Sequence, residues 1–341
     1  MTSITENTVA NSGKKAAGEQ MIVLVAMIAL FVVLPWSGIY PYFIMQALCF
    51  ALFACAFNLL IGYGGVLSFG HAMFLGTAGY VTGHLAKVGT IAFDFPLIGW
   101  GPRIDLGPLP PEIAILIGTV AAFVLAIVTG FIAIRRQGIY FAMITLALSQ
   151  LMYFLYVQTP FTHGEDGIQS IPQGKFLGIL NLARPYELYY VVLAVFLFGF
   201  LIIYRAINSP FGEVLKSIRE NEPRAISLGY RAEQYKLMAY ILSGTLAGLA
   251  GATKSIVAQN ASLTDIHWTM SGEVVLMVLV GGLGTIFGPV VGAFVIIAMQ
   301  QYLAPFGQWV LVIQGVIFVV CVLAFRRGII GEIAHYTRRS L

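Results

Sequence analysis

The chain has 341 residues, of which 59% are hydrophobic and 10% are charged, and its mean hydropathy is +0.87. Soluble domains carry roughly a quarter of charged residues, so this composition excludes a soluble globular protein and predicts a membrane protein. The net charge of +4 forms no basic patch interleaved with aromatic residues, which excludes a nucleic-acid-binding face. The three cysteines lie inside apolar runs, without the spacing of a disulfide framework or a metal site.

Apolar runs follow one another along the chain, and a helix needs about 20 such residues to cross a bilayer. Ten crossings are predicted, at 21–38, 42–62, 66–85, 112–134, 139–157, 187–207, 236–257, 272–280, 286–303 and 309–325. The expected fold class is an all-α, polytopic membrane helix bundle of about ten spans, with at least one broken helix. Residues 1–20 are expected to be a disordered cytoplasmic N-terminus, 21–325 the transmembrane domain and 326–341 a cytoplasmic tail.

The distribution of basic residues gives the expected topology. With the N-terminus in the cytoplasm, 14 of the 19 lysine and arginine residues lie on the inner side, in agreement with the positive-inside bias. An odd number of crossings would put the basic C-terminal tail outside, so the short run 272–280 is expected to cross. It is too short for a regular span, which predicts a broken or half-depth helix continued through Gly281, Gly282 and Gly284.

The longest charged stretch between two spans, 208–235, is predicted to contain two short helices. Residues that start or end helices divide it, with Ser209 and Pro210 at the first start, Asn221 or Glu222 with Pro223 at the second, and Gly229 at the end. Leu215 and Ile218 in the first helix, and Ile226 and Leu228 in the second, would supply apolar contacts. The pattern suits a loop that docks a soluble partner and equally a solvated, positive-inside loop.

Two glycine-rich passages lie at membrane edges, GGVLSFG from Gly64 and GGLGTIFG from Gly281. Their likeness is consistent with an internal repeat, as in many transporters, and also with shared glycine content alone. Interrupted helices expose N–H and C=O groups, which makes a zwitterion a plausible cargo.

Polar residues within spans are candidates for the translocation path, because ionisable groups at depth usually face a cavity or a partner. His71 can equally be a neutral, hydrogen-bonded packing residue, and Glu273 can sit in headgroup water. The candidate path residues are Gly64, Gly65, Ser68, His71, Tyr140, Thr145, Glu273, Gly281, Gly282 and Gly284.

Catalytic motifs are missing from the sequence. The nearest approach to a P-loop, 251–255, lacks the glycine before Lys254 and the upstream spacing. There is no HExxH, no GxSxG with triad partners, and the five histidines are scattered. We therefore expect a transport subunit rather than an enzyme, with no catalytic residue, no metal and no cofactor of its own, and any ATP hydrolysed on another chain.

Five stretches resemble the permease subunits of bacterial branched-chain amino acid ABC importers, of the LivM type. They are NLLIGYGGVLSFGHAMFLGTAGY (58–80), RRQGIYFAMITLALSQ (135–150), GEDGIQSIP (164–172), FGEVLKSIRENEPRAISLGYRAEQYKLMAYILSGTLAGLAGA (211–252) and SGEVVLMVLVGGLGTIFGPVVGA (271–293). The resemblance implies a multi-pass subunit of the bacterial inner membrane. Its partners would be a second permease of the LivH type, two cytoplasmic ABC ATPases that bind ATP-Mg, and a periplasmic or lipid-anchored binding protein.

The same resemblance makes the charged loop the coupling loop that enters a cleft of an ATPase. Its residues would be Phe211, Leu215, Lys216, Ile218, Arg219, Glu220, Asn221, Glu222, Arg224 and Gly229. The charged ones would contact the ATPase, while Leu215 and Ile218 would fill an apolar notch. Pro223 stands where the general importer signature EAA-x3-G has its glutamate.

The cargo implied is a branched-chain or related hydrophobic or neutral amino acid. A urea or short-chain amide permease is the alternative within the class, since it shares the glycine-rich passages. An ATP-independent channel or carrier is the alternative outside the class. No acidic residue lies clearly in the middle of a span, which disfavours a proton-driven carrier.

Overall fold

A computed structural model describes residues 18, 20–92, 103–105, 107–136, 138–178, 180–324 and 328–337. The expectation of disorder at the N-terminus falls almost wholly outside these residues. Most of the expected tail is described, and it contains a helix at its centre rather than a featureless end.

Helices make up most of the described chain. In order they are α1 (Gln20–Trp36), α2 (Pro41–Asn58), α3 (His71–Lys87), α4 (Pro111–Ala133), α5 (Ile139–Gln158), α6 (Pro185–Ile207), α7 (Pro210–Glu220), α8 (Glu222–Ser227), α9 (Ala232–Ala258), α10 (Trp268–Gly281), α11 (Gly288–Leu303), α12 (Val310–Ala324) and α13 (Gly328–Thr337). A π turn, Leu59–Tyr63, extends α2. The three strand pairs are short and antiparallel, namely β1 (Thr90–Ala92) with β2 (Arg103–Asp105), β3 (Ile168–Gln169) with β6 (Asn260–Ala261), and β4 (Lys175–Phe176) with β5 (Leu180–Asn181).

Proline fixes where several of these helices begin. Pro41, Pro111, Pro185 and Pro210 each occupy the first position of a helix. A helix leaves its first N–H groups without internal partners, so a residue that lacks an N–H loses nothing there. The loops between spans therefore end sharply at these positions.

Helix α2 is the centre of the bundle. It packs against α6, α9, α10 and α11, while α3 packs between α4 and α9. Glycines allow the closest approaches: a Cβ atom on Gly251 of α9 would lie 1.9 Å from the carbonyl oxygen of Leu75 in α3. Because apolar helices gain no hydrophobic energy by leaving lipid for each other, such close packing is a main source of their association.

Length and composition identify six of the ten predicted spans. Six helices in the described chain are long and apolar enough to cross a membrane, counting α2 with its π turn and α11 with the turn that follows it. The apolar runs of α1, α10 and α12 are shorter, and α3 begins at His71 rather than at residue 66. The backbone of 66–70 is irregular because the glycines around it interrupt the helix.

The helix ends fall on two sides of the bundle. We call the side that carries α7 and α8 the loop side, and the opposite side the far side. Arg219 in α7 contacts Gly62 at the end of α2 and approaches Gly284 after α10, so both ends lie on the loop side. The C-terminal helix α13 begins there too, since Gly328 packs on Gly282.

Candidate functional site

The charged loop folds as two helices, and its boundaries match the sequence prediction with one exception. The side chain of Asn221 accepts a hydrogen bond from the Arg224 N–H at 3.0 Å and so caps α8. Gly229 follows α8 with a φ of 91°, as expected for a residue that ends a helix. Ser209 does not cap α7, because its hydroxyl donates instead to the carbonyl of Ala206 at the end of α6.

The apolar side of α7 faces the chain's own membrane domain. Leu215 is 0% exposed and belongs to the main core, and Ile218 is 2% exposed and packs with Ala225 and Ala232. This differs from the expectation that the two side chains fill a notch in a partner. An amphipathic helix next to a membrane domain can bury its apolar face within its own chain, and here it does.

The apolar residues of the second helix lie on the outside instead. Ile226 is 54% exposed and Leu228 is 72% exposed, so neither supplies the internal contact predicted for it. Tyr230 next to them is also exposed. The loop therefore presents a small apolar surface formed by these three residues.

Arg219 connects the loop to both glycine-rich passages. Its Nη1 donates a hydrogen bond to the carbonyl oxygen of Gly62. A Cβ atom on Gly65 would lie 2.7 Å from the Arg219 Cγ, and one on Gly284 would lie 3.3 Å from its Nη1. The Arg219 side chain was expected to reach a partner, but it lies between the two glycine-rich passages of its own chain.

Asn58, at the end of α2, joins the same two passages. Its Nδ2 donates to the carbonyl of Thr285 at 2.8 Å, and its Oδ1 accepts from the Gly284 N–H at 3.1 Å. The side chain is 2% exposed, so these bonds satisfy backbone groups that have little access to water. Neither Asn58 nor Thr285 was singled out from sequence, although a lone amide in an apolar helix next to glycines is a usable signal.

The backbone between α10 and α11 turns sharply at the predicted glycines. Gly282 has a φ of 131° and Gly284 a φ of 78°, both in the region that favours glycine. The Thr285 hydroxyl donates to the Gly282 carbonyl at 2.7 Å and accepts from the Gly288 N–H at 3.1 Å. The irregular backbone predicted at these glycines is present, but it is a turn into α11, which packs against α10, rather than a break within one continuing helix. We refer to 282–287 as the second break and to 64–70 as the first break.

An ion pair also joins the charged loop to the helix bundle. The Lys236 Nζ lies 2.7 Å from the Glu222 Oε1, and the two side chains are 12% and 21% exposed. By contrast, the pair between Lys216 and Glu213, at 2.9 Å, is largely in solvent and contributes little. Glu222 therefore anchors the start of α8 to the start of α9.

Three of the predicted path residues hold the start of α3. The N–H of Phe69 donates to the Thr145 hydroxyl at 3.1 Å, and the N–H of Gly70 donates to the Ser68 hydroxyl at 3.2 Å. His71 is 0% exposed, with its Nε2 lying 2.8 Å from the Ser243 hydroxyl. This geometry favours the packing role for His71 over direct contact with cargo.

The ten predicted path residues thus fall into four places. Gly64, Gly65, Gly281, Gly282 and Gly284 lie together at the breaks. Ser68, His71 and Thr145 are buried at the start of α3. Tyr140 is 68% exposed on α5, and Glu273 in α10 accepts a hydrogen bond from the Gln300 Nε2 at 2.9 Å, apart from the others.

The hydrogen bonds of Arg219 and Asn58 thus join the end of α2 to the turn between α10 and α11. Comparison with known proteins identifies the family. The family described as "branched-chain amino acid transport system / permease component" matches residues 39–323. The chain belongs to this family. It is a multi-pass permease subunit of the ABC transporter class in the inner membrane.

The individual relatives that match are only moderately similar to this chain in sequence. The high-affinity branched-chain amino acid transport system permease protein LivM of Escherichia coli is 25% identical over 296 residues, which cover 80% of this chain and 65% of that protein. The probable LivM permease of Methanocaldococcus jannaschii is 24% identical over 295 residues, covering 80% of each chain. The ribose import permease RbsC of Bacillus subtilis is 30% identical over 169 residues, 47% of this chain and 50% of that one. No solved structure matches the chain significantly.

Proposed function

We propose that this chain is the translocating subunit of an ATP-driven importer of branched-chain or related hydrophobic or neutral amino acids. Its partners would be a LivH-type permease, two cytoplasmic ATPases carrying ATP-Mg, and a periplasmic or lipid-anchored binding protein. Family membership and the amino acid transport named for the LivM relatives support this proposal. The exposed apolar side chains of α4 and α5 give the bundle a surface for lipid or for the second permease.

The proposed topology has ten crossings, with both termini and the loop in the cytoplasm. In support, α2 and α10 end on the loop side, whereas α3 and α11 begin there. The basic residues Arg136 and Lys236 lie on that side as well, near Glu222. This agrees with a cytoplasmic loop side under the positive-inside bias. The short helix α10 would then cross together with the second break.

Arg219 carries the proposed mechanism. Closure of the ATPases would move α7 and α8 together, because Ile218 packs on Ala225 between them. Arg219 would pass this motion to the end of α2 through its hydrogen bond to Gly62. Breaks in helices are where a bundle can change shape with small changes in backbone torsion. The path would thereby open to each side in turn.

The proposed contact with the ATPase is revised by the burial of α7. Glu220 and Arg224 are exposed and remain the proposed polar contacts. The apolar contacts would come from Ile226 and Leu228, because Leu215 and Ile218 are already buried in this chain. A partner cleft that receives the loop would thus meet α8 more than α7.

The cargo is the part of the proposal with least structural support. A relative named for ribose import is 30% identical to part of the chain, so the shared backbone does not select amino acids by itself. A urea or short-chain amide permease is retained as the second candidate because the glycine-rich breaks suit it equally. Uptake by the complete complex, with leucine, ribose and urea compared side by side, distinguishes these cargoes.

Arg219→Ala in the reconstituted complex tests the mechanism. We expect ATP hydrolysis to continue while ATP-dependent leucine uptake falls by at least about tenfold, because the loop loses its bond to the end of α2. Arg205→Ala is the matched control, since Arg205 is an exposed arginine at the same side of the bundle. Equal uptake by Arg219→Ala and wild type would rule out the coupling role. Full-rate uptake without ATPases would rule out an ATP-driven importer altogether.

A further inference from the structure

A cavity of about 570 Å³ lies on the loop side, between the first break and the start of α5. Its walls are mostly apolar, and the side chains of Leu67, Phe69 and Ile139 are among them. The volume lies within the range of roughly 300–1,000 Å³ that is usual for small-molecule sites, and apolar walls with a few polar groups are typical of such sites. None of the proposed path residues other than Gly65 lines it.

Charged groups of both signs stand at this cavity. Arg136 and Lys236 contribute positive charge, and Glu222 contributes negative charge. Lys236 and Glu222 form the mostly buried ion pair described above, so both charges are held in place by the fold. A carboxylate is recognised by a guanidinium or ammonium group, and an ammonium by a carboxylate. Both halves of that recognition are present beside an apolar wall.

We propose that this cavity binds a small zwitterion with an aliphatic side chain. Its carboxylate lies toward Arg136 and Lys236, its ammonium toward Glu222, and its side chain against Leu67 and Phe69. This inference rests on the proposed function and adds a site to it, namely one where the amino acid is held on the loop side before release.

The position of Glu222 couples this site to the loop. Glu222 is the first residue of α8, whereas Lys236 belongs to α9 in the bundle. A movement of α8 away from the bundle separates the two charges and removes the ammonium partner from the cavity. Release of the bound amino acid then accompanies the same loop movement that shifts Arg219.

The test uses the complex of the two permeases and two ATPases in nanodiscs, without binding protein and without ATP, titrated with radiolabelled L-leucine. We expect saturable binding that is weakened at least tenfold by Leu67→Trp, which fills the cavity. Leu155→Trp, on an exposed position of α5 that does not line the cavity, is the matched control and should bind as wild type does. Arg136→Gln, which changes an exposed side chain, should weaken binding severalfold.

Two analogues test the charges without any change to the protein. Isoamylamine lacks the carboxylate and 4-methylpentanoate lacks the ammonium, so each should bind at least tenfold more weakly than leucine. Equal binding of all three would overturn the zwitterion site, as would leucine binding that Leu67→Trp leaves unchanged. ATP-driven leucine uptake by the same complex, reconstituted into sealed liposomes with its binding protein, separates the two proposals: uptake without this binding refutes the site alone, and binding without uptake refutes the importer alone.

Discussion

The first and second breaks have similar sequences and meet the same arginine, yet they are held in different ways. The first follows α2, the most buried of the candidate spans, and leads into α3 through side-chain hydrogen bonds from Ser68 and Thr145. The second follows the short helix α10, and apart from its own Thr285 its side-chain hydrogen bonds come from Asn58. The first break thus relies on two fully buried hydroxyls, whereas residues 282–285 of the second are docked through Asn58 before Ile286 and Phe287 enter the core.

We propose that residues 282–285 are the part that moves. A turn held mainly by hydrogen bonds can shift at a smaller energetic cost than a packed helix end. Arg219 touches both, so we expect a pull on α7 to displace Gly284 more than Gly62. Substitutions at the two breaks should consequently have different effects on stability and on transport.

The largest effect is expected from Gly281→Ala. A Cβ atom there would lie 2.0 Å from the carbonyl oxygen of Gly288, and a backbone atom cannot rotate away as a side chain can. We expect a loss of about 3 kcal/mol or more in the free energy of unfolding, measured by thermal denaturation of the purified subunit in detergent. Gly272→Ala in the same helix is the control, because a Cβ atom there meets nothing within 4 Å. Similar melting of the two variants would contradict the close packing of the second break.

A smaller but more informative effect is expected from Asn58→Leu. The variant leaves the N–H of Gly284 and the C=O of Thr285 without their partner, which should cost about 2 kcal/mol of stability. Because the substitution releases the second break from Asn58, we expect leucine uptake to fall by more than the loss of folded complex alone would cause. Asn208→Leu is the control, since the Asn208 side chain bonds only one turn back, to the carbonyl of Tyr204. Normal uptake by a well-folded Asn58→Leu complex would refute docking of the turn as a working element.

The smallest effect is expected from Gly65→Ala in the first break. Its φ of 67° disfavours any residue with a Cβ, at a cost of about 1 kcal/mol, and the new methyl group would also press on the Arg219 Cγ. The effects of Gly65→Ala and Arg219→Ala on leucine uptake should be non-additive. In an Arg219→Ala background, Gly65→Ala should reduce leucine uptake less than it does in wild type. Strictly additive effects on uptake would mean that Gly65 and Arg219 act independently.

Sequence reasoning located the breaks and the loop because glycine, proline and charge have strong local preferences. It predicted irregular backbone at Gly282 and Gly284, and it placed the cap of α8 at Asn221 or Glu222, of which the structure shows Asn221. It did not predict which way Leu215 faces, since an amphipathic pattern identifies the apolar side of a helix but not what that side will contact. Asn58 was missed for a related reason: its two bonds join positions more than 200 residues apart, at Gly284 and Thr285.

The C-terminal helix has a practical consequence. A Cβ atom on Gly328 would lie 2.4 Å from the Cα of Gly282, so the start of α13 rests directly on the displaceable turn. A spectroscopic label on α13 would therefore report the position of that turn, without altering Arg219 or Asn58. For the same reason, a bulky fusion to α13 would place its load next to the turn that we propose to move.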